Sequence, residues 1–261
     1  MLAEPRFLEL DEGRLEYLWH GPGPDAAPTL VFLHEGLGAA ALWRDVPQTL
    51  AERTGAGALV YSRFGYGRSD PRPLPWPIEF MHLEALEVLP RVLAGLGIKE
   101  AVLVGHSDGA SIALILAGGA PRAGLRGLVL EAPHLFTEPG GLAAIAETRE
   151  RFRTGDLRAR LQRYHGANVD VAFNGWAETW LDPDFRAWNL ESYLAGIRVP
   201  TLIVQGTDDP YGTLAHAESI GRQAPGPVET LVLDGVGHAP HREAREAYLD
   251  RVARFVGRCL A

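Results

Sequence analysis

The sequence predicts an α/β fold built on a mostly parallel, doubly wound sheet, with a block of helices inserted into it. Short apolar runs typical of buried strands alternate with helical segments along most of the chain, and the links between them are short. Over residues 136–198 the strand runs stop and helical periodicity alone remains. We therefore expect one core domain formed by residues 1–135 and 199–261, and a helical cap, or lid, formed by residues 136–198.

Each core element has a local signal of its own. Loose alternation on both sides of a turn signal at residues 11–13 predicts an amino-terminal hairpin over residues 6–19. Continuous apolar runs, which suit strands buried on both faces of a parallel sheet, predict strands at residues 29–33, 58–61, 101–104, 127–131, 201–205 and 230–233. Helical patterns predict helices at about 41–53, 81–96 and 110–117, and a last one from about 242. One apolar face of that last helix is formed by Tyr248, Val252, Phe255 and Val256.

Composition and charge exclude several classes of protein. The 261 residues carry a net charge of −8 and form no basic cluster along the sequence, which argues against nucleic acid or an anionic membrane as a partner. Cys259 is the single cysteine, which excludes an internal disulfide framework and a cysteine metal site. The first residues lack the pattern of a signal peptide, and no apolar run approaches a membrane span. We expect a cytoplasmic protein, a monomer or homodimer, whose partner is a small-molecule substrate.

The strongest chemical signal is the sequence Gly105-His106-Ser107-Asp108-Gly109, which stands between a strand run and a helix run. A chain that leaves a strand and enters a helix this abruptly must turn sharply, and the two glycines keep side chains out of the crowded turn. The serine at the apex is then displayed above the helix amino terminus, as a nucleophile requires. A role as helix N-cap would explain Ser107 but not both glycines.

A serine nucleophile needs a base, and the base needs a carboxylate that holds its tautomer. In an open parallel sheet such residues collect beyond the carboxyl ends of the strands. His238, in a glycine-rich loop before the last helix, is the predicted base, with a loop histidine bonded to backbone as the alternative. Asp209 is the predicted acid, whereas Asp208 is expected to bond its own backbone in the turn. His241 is expected to lie on the surface or to cap the last helix.

The oxyanion that forms when Ser107 attacks a carbonyl needs two N–H donors. The first is expected from Asp108, because the amide directly after the nucleophile usually serves this purpose. The second is expected from the loop after the strand at residues 29–33, where glycines let the backbone turn its N–H groups inward. Leu37 is the first choice for that donor and Gly36 the second.

Together these motifs resemble the α/β-hydrolases, in particular the bacterial group of carboxylesterases, meta-cleavage-product C–C hydrolases and proline iminopeptidases. The resemblance covers nearly the whole chain and rests on Gly-His-Ser-Asp-Gly, on Gly-x-x-Asp ending at Asp209, and on Gly-His-x-Pro around His238. It implies an α/β-hydrolase fold and a triad of Ser107, Asp209 and His238. Haloalkane dehalogenases and epoxide hydrolases also resemble this fold but use an aspartate where Ser107 stands, so they are disfavoured.

Two positions depart from the family's usual pattern. The His-Gly opening of the oxyanion loop is His34-Glu35-Gly36 here, one residue longer, which leaves the donor open between Leu37 and Gly36. Asp108 stands where apolar residues are more usual, although an acid in the first helical turn is also explained by the helix dipole. With Glu35 it would place two carboxylates near the pocket and disfavour anionic acyl groups, unless arginines of the cap compensate.

The cap segment is rich in aromatic residues, among them Trp176, Trp180 and Trp188, which are three of the six tryptophans. Large rigid rings suit the roof of an apolar pocket, although a place in the core explains any one of them equally well. We expect these three tryptophans and Glu35 to contact the substrate.

These features predict a serine esterase that cleaves small to medium carboxylic esters through an acyl-enzyme, with no cofactor and no metal. A C–C bond hydrolase of meta-cleavage-type dienoates is the alternative within enzymes, and it would need the same triad with a polar cap. Outside catalysis, the same fold serves as a small-molecule receptor, for which labelling of the serine without turnover would speak.

Overall fold

The computed structural model describes residues 4–120 and 122–261. Its centre is a sheet of eight strands with helices on both faces, as the sequence predicts. The strands are β1 (Arg6–Leu10), β2 (Gly13–His20), β3 (Thr29–Leu33), β4 (Gly57–Tyr61), β5 (Ala101–His106), β6 (Leu125–Glu131), β7 (Thr201–Gly206) and β8 (Val228–Leu233). Their order across the sheet is β1-β2-β4-β3-β5-β6-β7-β8.

The sheet is antiparallel only at its first edge. β1 and β2 form the predicted hairpin and β2 pairs antiparallel with β4, whereas every pairing from β4 to β8 is parallel. The strands β3, β4, β5 and β7 are buried along their whole length because helices cover both faces of the sheet. Side chains alternate between the two faces, so Leu103 belongs to one hydrophobic core while Val102 and Val104 belong to the other.

The helices fill the connections between strands. They are α1 (Val46–Thr54), α2 (Phe80–Leu83), α3 (Leu89–Gly95), α4 (Asp108–Gly119), α5 (Pro139–Thr154), α6 (Leu157–His165), α7 (Val169–Trp180), α8 (Glu191–Leu194), α9 (Ala215–Gln223), α10 (Pro240–Glu243) and α11 (Arg245–Leu260). A π-helical turn joins α2 to α3, and the predicted face of the last helix is buried in the core. In the described part of the chain, no helix is both long and apolar enough to cross a bilayer.

The helix predicted at about 41–53 is shorter than expected. Residues Ala40–Trp43 form a 3-10 turn, and α1 begins only at Val46. Pro47 explains the later start, because proline lacks an N–H and is accepted only in the first turn of a helix. Between the two segments Arg44 has a φ of 53°, a conformation that residues with a side chain rarely adopt.

Between β6 and β7 the chain leaves the sheet and forms helices α5 to α8, together with 3-10 turns at Gly166–Asn168 and Pro183–Ala187. The helical character predicted for residues 136–198 is therefore present, and an isolated bridge between Phe136 and Asn189 is the strand-like pairing found there. Phe152 stacks on Phe173 with ring centroids 3.7 Å apart. These rings belong to the same hydrophobic cluster as one face of the sheet, so apolar packing holds the inserted helices on the core.

Candidate active site

Ser107 lies at the sharp turn between β5 and α4 and lines a cavity above it. Its φ of 54° and ψ of −118° mark a strained backbone, which is often found at functional sites. Neighbouring backbone atoms leave no room for a side chain at Gly105 or Gly109, the two glycines of the motif. A Cβ at Gly105 would lie 2.3 Å from the carbonyl oxygen of Gly109, and a Cβ at Gly109 would lie 2.0 Å from that of Leu33. The turn that the sequence predicts is therefore enforced by packing against the neighbouring backbone.

His238 and Asp209 form a hydrogen-bonded pair beyond the ends of β8 and β7. Nδ1 of His238 lies 2.8 Å from both carboxylate oxygens of Asp209. The same carboxylate accepts from the backbone N–H of Tyr211 and from Nε2 of Gln205, each at 2.9 Å. Burial alone would raise the pKa of Asp209, but the hydrogen bonds from His238 and Tyr211 lower it to about 2. Asp209 is thus a buried, ionised acceptor that fixes Nδ1 of His238 as the protonated nitrogen.

The neighbouring Asp208 has a different environment. Its carboxylate is exposed and accepts from the hydroxyl of Thr207 at 3.2 Å, and its backbone N–H donates to the carbonyl oxygen of Val236 at 2.9 Å. The structure therefore brings Asp209 to His238 and leaves Asp208 in the turn, which is the arrangement that the sequence favours.

A second histidine, His106, supports the backbone of His238. Its Nε2 donates to the carbonyl oxygen of His238 at 2.7 Å, and its Nδ1 lies 3.5 Å from Oε2 of Glu35. Burial alone would lower the pKa of His106, but the carboxylates of Glu131 and Glu35 raise it to about 9. At neutral pH His106 is therefore a buried imidazolium whose two N–H groups hold the loop of His238 and the side chain of Glu35.

His241 corrects an expectation, because it is neither on the surface nor a simple helix cap. It is buried, and both its backbone N–H and its Nδ1 lie 2.8 Å from Oε1 of Glu131. Ligand atoms of His241, Glu131 and His106 lie within 4.8 Å of one another, a grouping close enough for a metal ion. However, Nε2 of His106 already donates to the carbonyl oxygen of His238, and Oε1 of Glu131 already accepts two bonds from His241. We therefore assign this cluster a structural role, which is to anchor α10 beneath the site.

The loop after β3 is held by buried polar contacts. Nε2 of His34 accepts from the backbone N–H of Arg63 at 3.1 Å, so its Nδ1 donates to the carbonyl oxygen of Glu35 at 2.7 Å. The guanidinium of Arg63 donates to the carbonyl oxygens of His34 and Glu35, both at 3.1 Å. These bonds engage the carbonyl groups of His34 and Glu35 and do not involve the backbone N–H groups of the residues that follow them.

His165, at the end of α6, reaches the same loop from the inserted helices. Its Nδ1 accepts from the backbone N–H of Gly67 at 3.1 Å, which makes Nε2 the protonated nitrogen. Nε2 then donates to the carbonyl oxygen of Leu37 at 3.1 Å. Burial lowers the pKa of His165, so the neutral form that can make both bonds is favoured. The inserted segment therefore helps to set the backbone of Leu37.

Three N–H groups remain free to bind an oxyanion. In the part of the chain that the structure describes, no acceptor faces the N–H of Gly36, Leu37 or Asp108. Gly36 is packed so tightly against the inserted helices that a Cβ there would lie 2.1 Å from Nε1 of Trp176. All three predicted donors thus border the cavity that holds Ser107, and the choice between Leu37 and Gly36 stays a prediction.

The side chain of Asp108 joins the nucleophile turn to the inserted helices. Its Oδ1 accepts from Nε1 of Trp180 at 3.2 Å, and its Oδ2 lies 4.0 Å from the guanidinium of Arg63. The side chain is 1% exposed. Burial raises the pKa of Asp108 to about 6, although Arg63 and Trp180 act in the opposite direction. The carboxyl group is therefore poorly stabilised as an anion despite its two partners.

The cavity above Ser107 has a volume of about 570 Å³ and a largely apolar roof. Its apolar lining is formed by Leu37, Phe136, Leu142, Ile145, Trp176 and Trp180. Glu35 also lines it, as expected, whereas Trp188 does not. Trp188 packs against Phe185 and Trp180 with ring centroids 5.1 and 5.4 Å apart, behind the cavity lining, so no observation supports its predicted contact with substrate. It is a core residue that supports Trp180 from behind.

Two residues of the cavity that lie beside His238 escaped prediction from the sequence. His134 lines the cavity with its ring centroid 5.8 Å from that of His238, and burial holds its pKa well below the usual range. Tyr211 lies 4.8 Å from His238 by the same measure. Both follow the end of a strand, β6 and β7 respectively, so the rule that pointed to His238 and Asp209 could have found them.

The family of this chain follows from comparison with known proteins. Residues 30–251 match the profile of the Alpha/beta hydrolase family, and the chain belongs to that family. The match confirms the resemblance and the fold class that the sequence predicts.

The sequence identities with individual known proteins are low. The chain is 33% identical over 289 aligned positions to polyketide synthase ThaQ of Burkholderia thailandensis; the match covers 100% of this chain and 13% of that protein. It is 25% identical over 260 positions to the sn-1-specific diacylglycerol lipase ABHD11 of Mus musculus, covering 90% of this chain and 82% of the lipase. The solved structure of the esterase EaEST from Exiguobacterium antarcticum shares the fold, with a TM-score of 0.75 and 20% identity over 97% of this chain and 99% of the esterase.

Proposed function

We propose that this protein is a serine hydrolase that cleaves carboxylic esters through an acyl-enzyme, with Ser107, His238 and Asp209 as its triad. The observation that carries the proposal is the Asp209–His238 pair, whose carboxylate is buried and whose histidine lines the same cavity as a serine held in a strained turn. A buried carboxylate that fixes the tautomer of a histidine near a serine hydroxyl is the arrangement that activates a serine.

The reaction would proceed in two halves. Oγ of Ser107 attacks the carbonyl carbon of the ester while its proton passes to Nε2 of His238. The developing oxyanion accepts from the N–H groups of Asp108 and Leu37, and the C–O bond to the alcohol then breaks as His238 returns the proton to the leaving oxygen. Water, deprotonated by His238, then attacks the acyl-Ser107 ester, which releases the acid and restores the serine. Asp209 keeps the imidazole oriented and stabilises its charged form throughout.

The lining of the cavity supports an uncharged acyl group. Its apolar roof suits a hydrocarbon chain, and no arginine or lysine lines it among the described residues. Glu35 and Glu138 also line this cavity, and their negative charges would disfavour an anionic acyl group. A dienoate substrate carries a carboxylate that needs a cationic partner, so this lining favours an ester over the C–C hydrolase alternative. The name of the relative ABHD11, a diacylglycerol lipase, also supports an ester substrate.

We also propose that residues 136–198 act as a cap that selects the substrate. The support is their contact with the site: Trp176 and Trp180 line the cavity, and Trp180 and His165 bond the turn and loop that hold the predicted oxyanion donors. The segment therefore covers the acyl space and also touches the groups that perform the chemistry.

The test of this function is a substrate panel. Purified protein would be given p-nitrophenyl esters of increasing acyl length beside a meta-cleavage dienoate, and hydrolysis would be followed by absorbance. We expect turnover of the esters with an optimum at short to medium chains, and none of the dienoate. Turnover of the dienoate alone would establish the C–C hydrolase instead, and stoichiometric labelling of Ser107 without turnover of any substrate would indicate a receptor.

A further inference from the structure

A second cavity, of about 680 Å³, adjoins the catalytic one, and the two share Glu35 and Leu37. Four arginines line it, and we call it the arginine groove: Arg44, Arg160, Arg163 and Arg242. They come from the turn before α1, from α6 and from α10, so they are far apart along the chain. For this reason the sequence shows no basic cluster, although the fold creates one next to the active site.

These four arginines form no ion pair with the described part of the chain. Among the described residues, no carboxylate lies within ion-pair distance of any of them, and all four are exposed. Two other arginines that lie close to them in sequence form ion pairs instead: Arg158 with Asp170 at 2.6 Å, and Arg245 with Asp45 at 2.7 Å. Asp45, which directly follows Arg44 in the chain, is thereby already occupied. In a chain with a net charge of −8, four free guanidinium groups around one groove form a local excess of positive charge.

The single carboxylate that lines the groove does not neutralise it. Glu35 has its Oε2 3.5 Å from the imidazolium of His106, on the side of the catalytic cavity. Backbone strain provides a second, independent observation. Arg44 has a φ of 53° and a ψ of −123°, values very close to those of Ser107. Strain of this kind persists only where the surrounding packing holds the backbone in place, so the backbone of Arg44 is fixed at the edge of the groove.

We propose that the arginine groove binds a phosphate group carried on the leaving portion of the acyl substrate. The inference rests on the proposed serine hydrolase function. A guanidinium presents a planar fork of donors that matches two phosphate oxygens, which makes unpaired arginines suitable partners for such a group. The acyl cavity has no arginine or lysine among its described lining residues, so the uncharged acyl chain and the anionic part of the substrate would occupy separate spaces. Arg242 follows His238, the residue that protonates the leaving atom, by four positions, so this end of the groove is close along the chain to the departing group.

The test compares substrates that differ only in the leaving group. One pair is the same short-chain thioester of coenzyme A, which carries phosphates, and of N-acetylcysteamine, which carries none. The other pair is a 1-acylglycerol 3-phosphate and the corresponding 1-acylglycerol. For each pair the measured quantity is the ratio of kcat/KM for the phosphate-bearing substrate to that for the neutral one. The pair with the larger ratio indicates whether the phosphate belongs to a thiol or to a glycerol.

We expect a ratio of about tenfold or more in at least one pair at low salt, falling as salt screens the exposed charges. The variant Arg160→Ala/Arg163→Ala changes two groove arginines on α6 and should lower that ratio by about tenfold, mainly through KM, because rim charges act on binding. The matched control is Arg198→Ala/Arg254→Ala, which removes the same charge from two exposed arginines outside the groove and should leave the ratio unchanged. Melting temperatures of both variants confirm that they are folded.

Binding of coenzyme A itself, measured by calorimetry on wild-type protein and on both variants, makes the test independent of turnover. Weaker binding in the groove variant alone supports the inference even if no ester or thioester is hydrolysed, and in that case the proposed function fails while the groove remains. Ratios near one in both pairs with no detectable binding of coenzyme A overturn the inference, even where neutral esters are hydrolysed. An equal loss in the groove variant and its control overturns it as well.

Discussion

The proposed catalytic groups and the groups that line the cavity around them come from two regions of the molecule with different constraints. Ser107, Asp209 and His238 follow the ends of β5, β7 and β8, so hydrogen-bonded strand order fixes their positions. Trp180 and His165 reach the site from helices that are held on the core by apolar packing. Removing a side chain at the strand ends should therefore stop the hydrolysis of every substrate. Removing a side chain of the inserted helices should instead change the rates by an amount that depends on the substrate.

The largest effect is expected at Ser107. Ser107→Ala should lower kcat by about 10⁴–10⁶-fold for all esters, because no other group can take the place of the nucleophile. Steady-state assays with esters of several acyl lengths measure this, and the losses should be equal along the series. Labelling by a fluorophosphonate should disappear at the same time. Retained labelling at a different serine would show that the turn between β5 and α4 does not carry the nucleophile.

The paired aspartates offer a matched comparison within the core. Asp209→Asn should lower kcat by about 10³–10⁴-fold, because an amide gives Nδ1 of His238 the wrong partner. Asp208→Asn should have a much smaller effect, since its carboxylate is exposed and bonds only Thr207. Both variants are measured with the same ester and checked by melting temperature. A larger loss in Asp208→Asn would mean that the acid is wrongly assigned by one residue.

The two tryptophans test the other side of the comparison. Trp180→Ala should change the preferred acyl length and alter kcat/KM by about 1–3 kcal/mol, because Trp180 lines the cavity. Trp188→Ala is the control, since it removes a buried ring of the same cluster that does not reach the cavity. Both should lose about 3–5 kcal/mol of stability. Equal losses of activity for all acyl lengths in both variants would show that Trp180 stabilises the core and does not select the substrate.

His165 connects the two regions, because it belongs to the inserted helices and hydrogen-bonds Leu37 in the loop after β3. His165→Ala should lower kcat by about tenfold with little change in KM, because a displaced Leu37 weakens a donor needed mainly in the transition state. His165→Gln, which keeps an N–H that can reach the carbonyl oxygen of Leu37, should recover part of the loss. A change confined to KM, or no recovery with glutamine, would contradict this positioning role.

The smallest effect concerns stability at the contact between the two regions. Burial raises the pKa of Asp108 to about 6, so the folded protein keeps a proton that the unfolded chain releases above about pH 4. The stability gained from neutral Asp108 is thus present below about pH 4 and is lost as the pH rises through about 6. Asp108→Asn, which keeps an acceptor for Trp180, should be more stable than wild type by about 1–2 kcal/mol at pH 7, with a smaller difference at pH 4. Melting temperatures at both pH values measure this, and an unchanged difference would exclude titration of Asp108 as its cause.

Much of the core was predictable because its signals are local. Buried parallel strands are continuous apolar runs, and each predicted strand is present with bounds that differ by a few residues at most. The motif around Ser107 could be interpreted because its two glycines meet backbone atoms of adjacent elements, a demand that leaves no alternative residue. The break before α1 was also visible in principle, since Pro47 can stand only in the first turn of a helix.

The surroundings of the site could not be predicted in the same way, because they depend on contacts between distant segments. His241 resembled a surface residue in sequence, but the fold places Glu131 beside it. Trp180 and Trp188 have the same character in sequence, and only the packing of α7 decides which of them faces the cavity. The four arginines of the arginine groove are scattered along the chain and meet only in three dimensions.

The most direct test of the account is to trap the acyl-enzyme. Wild-type protein mixed with p-nitrophenyl acetate and quenched with acid within milliseconds would be digested, and the acetylated residue would be located by mass spectrometry. We expect a burst of about one molecule of p-nitrophenol per protein molecule, and an acetyl group on Ser107 alone. Steady hydrolysis without a burst or an acetylated residue, or acetylation of a different side chain, would contradict it.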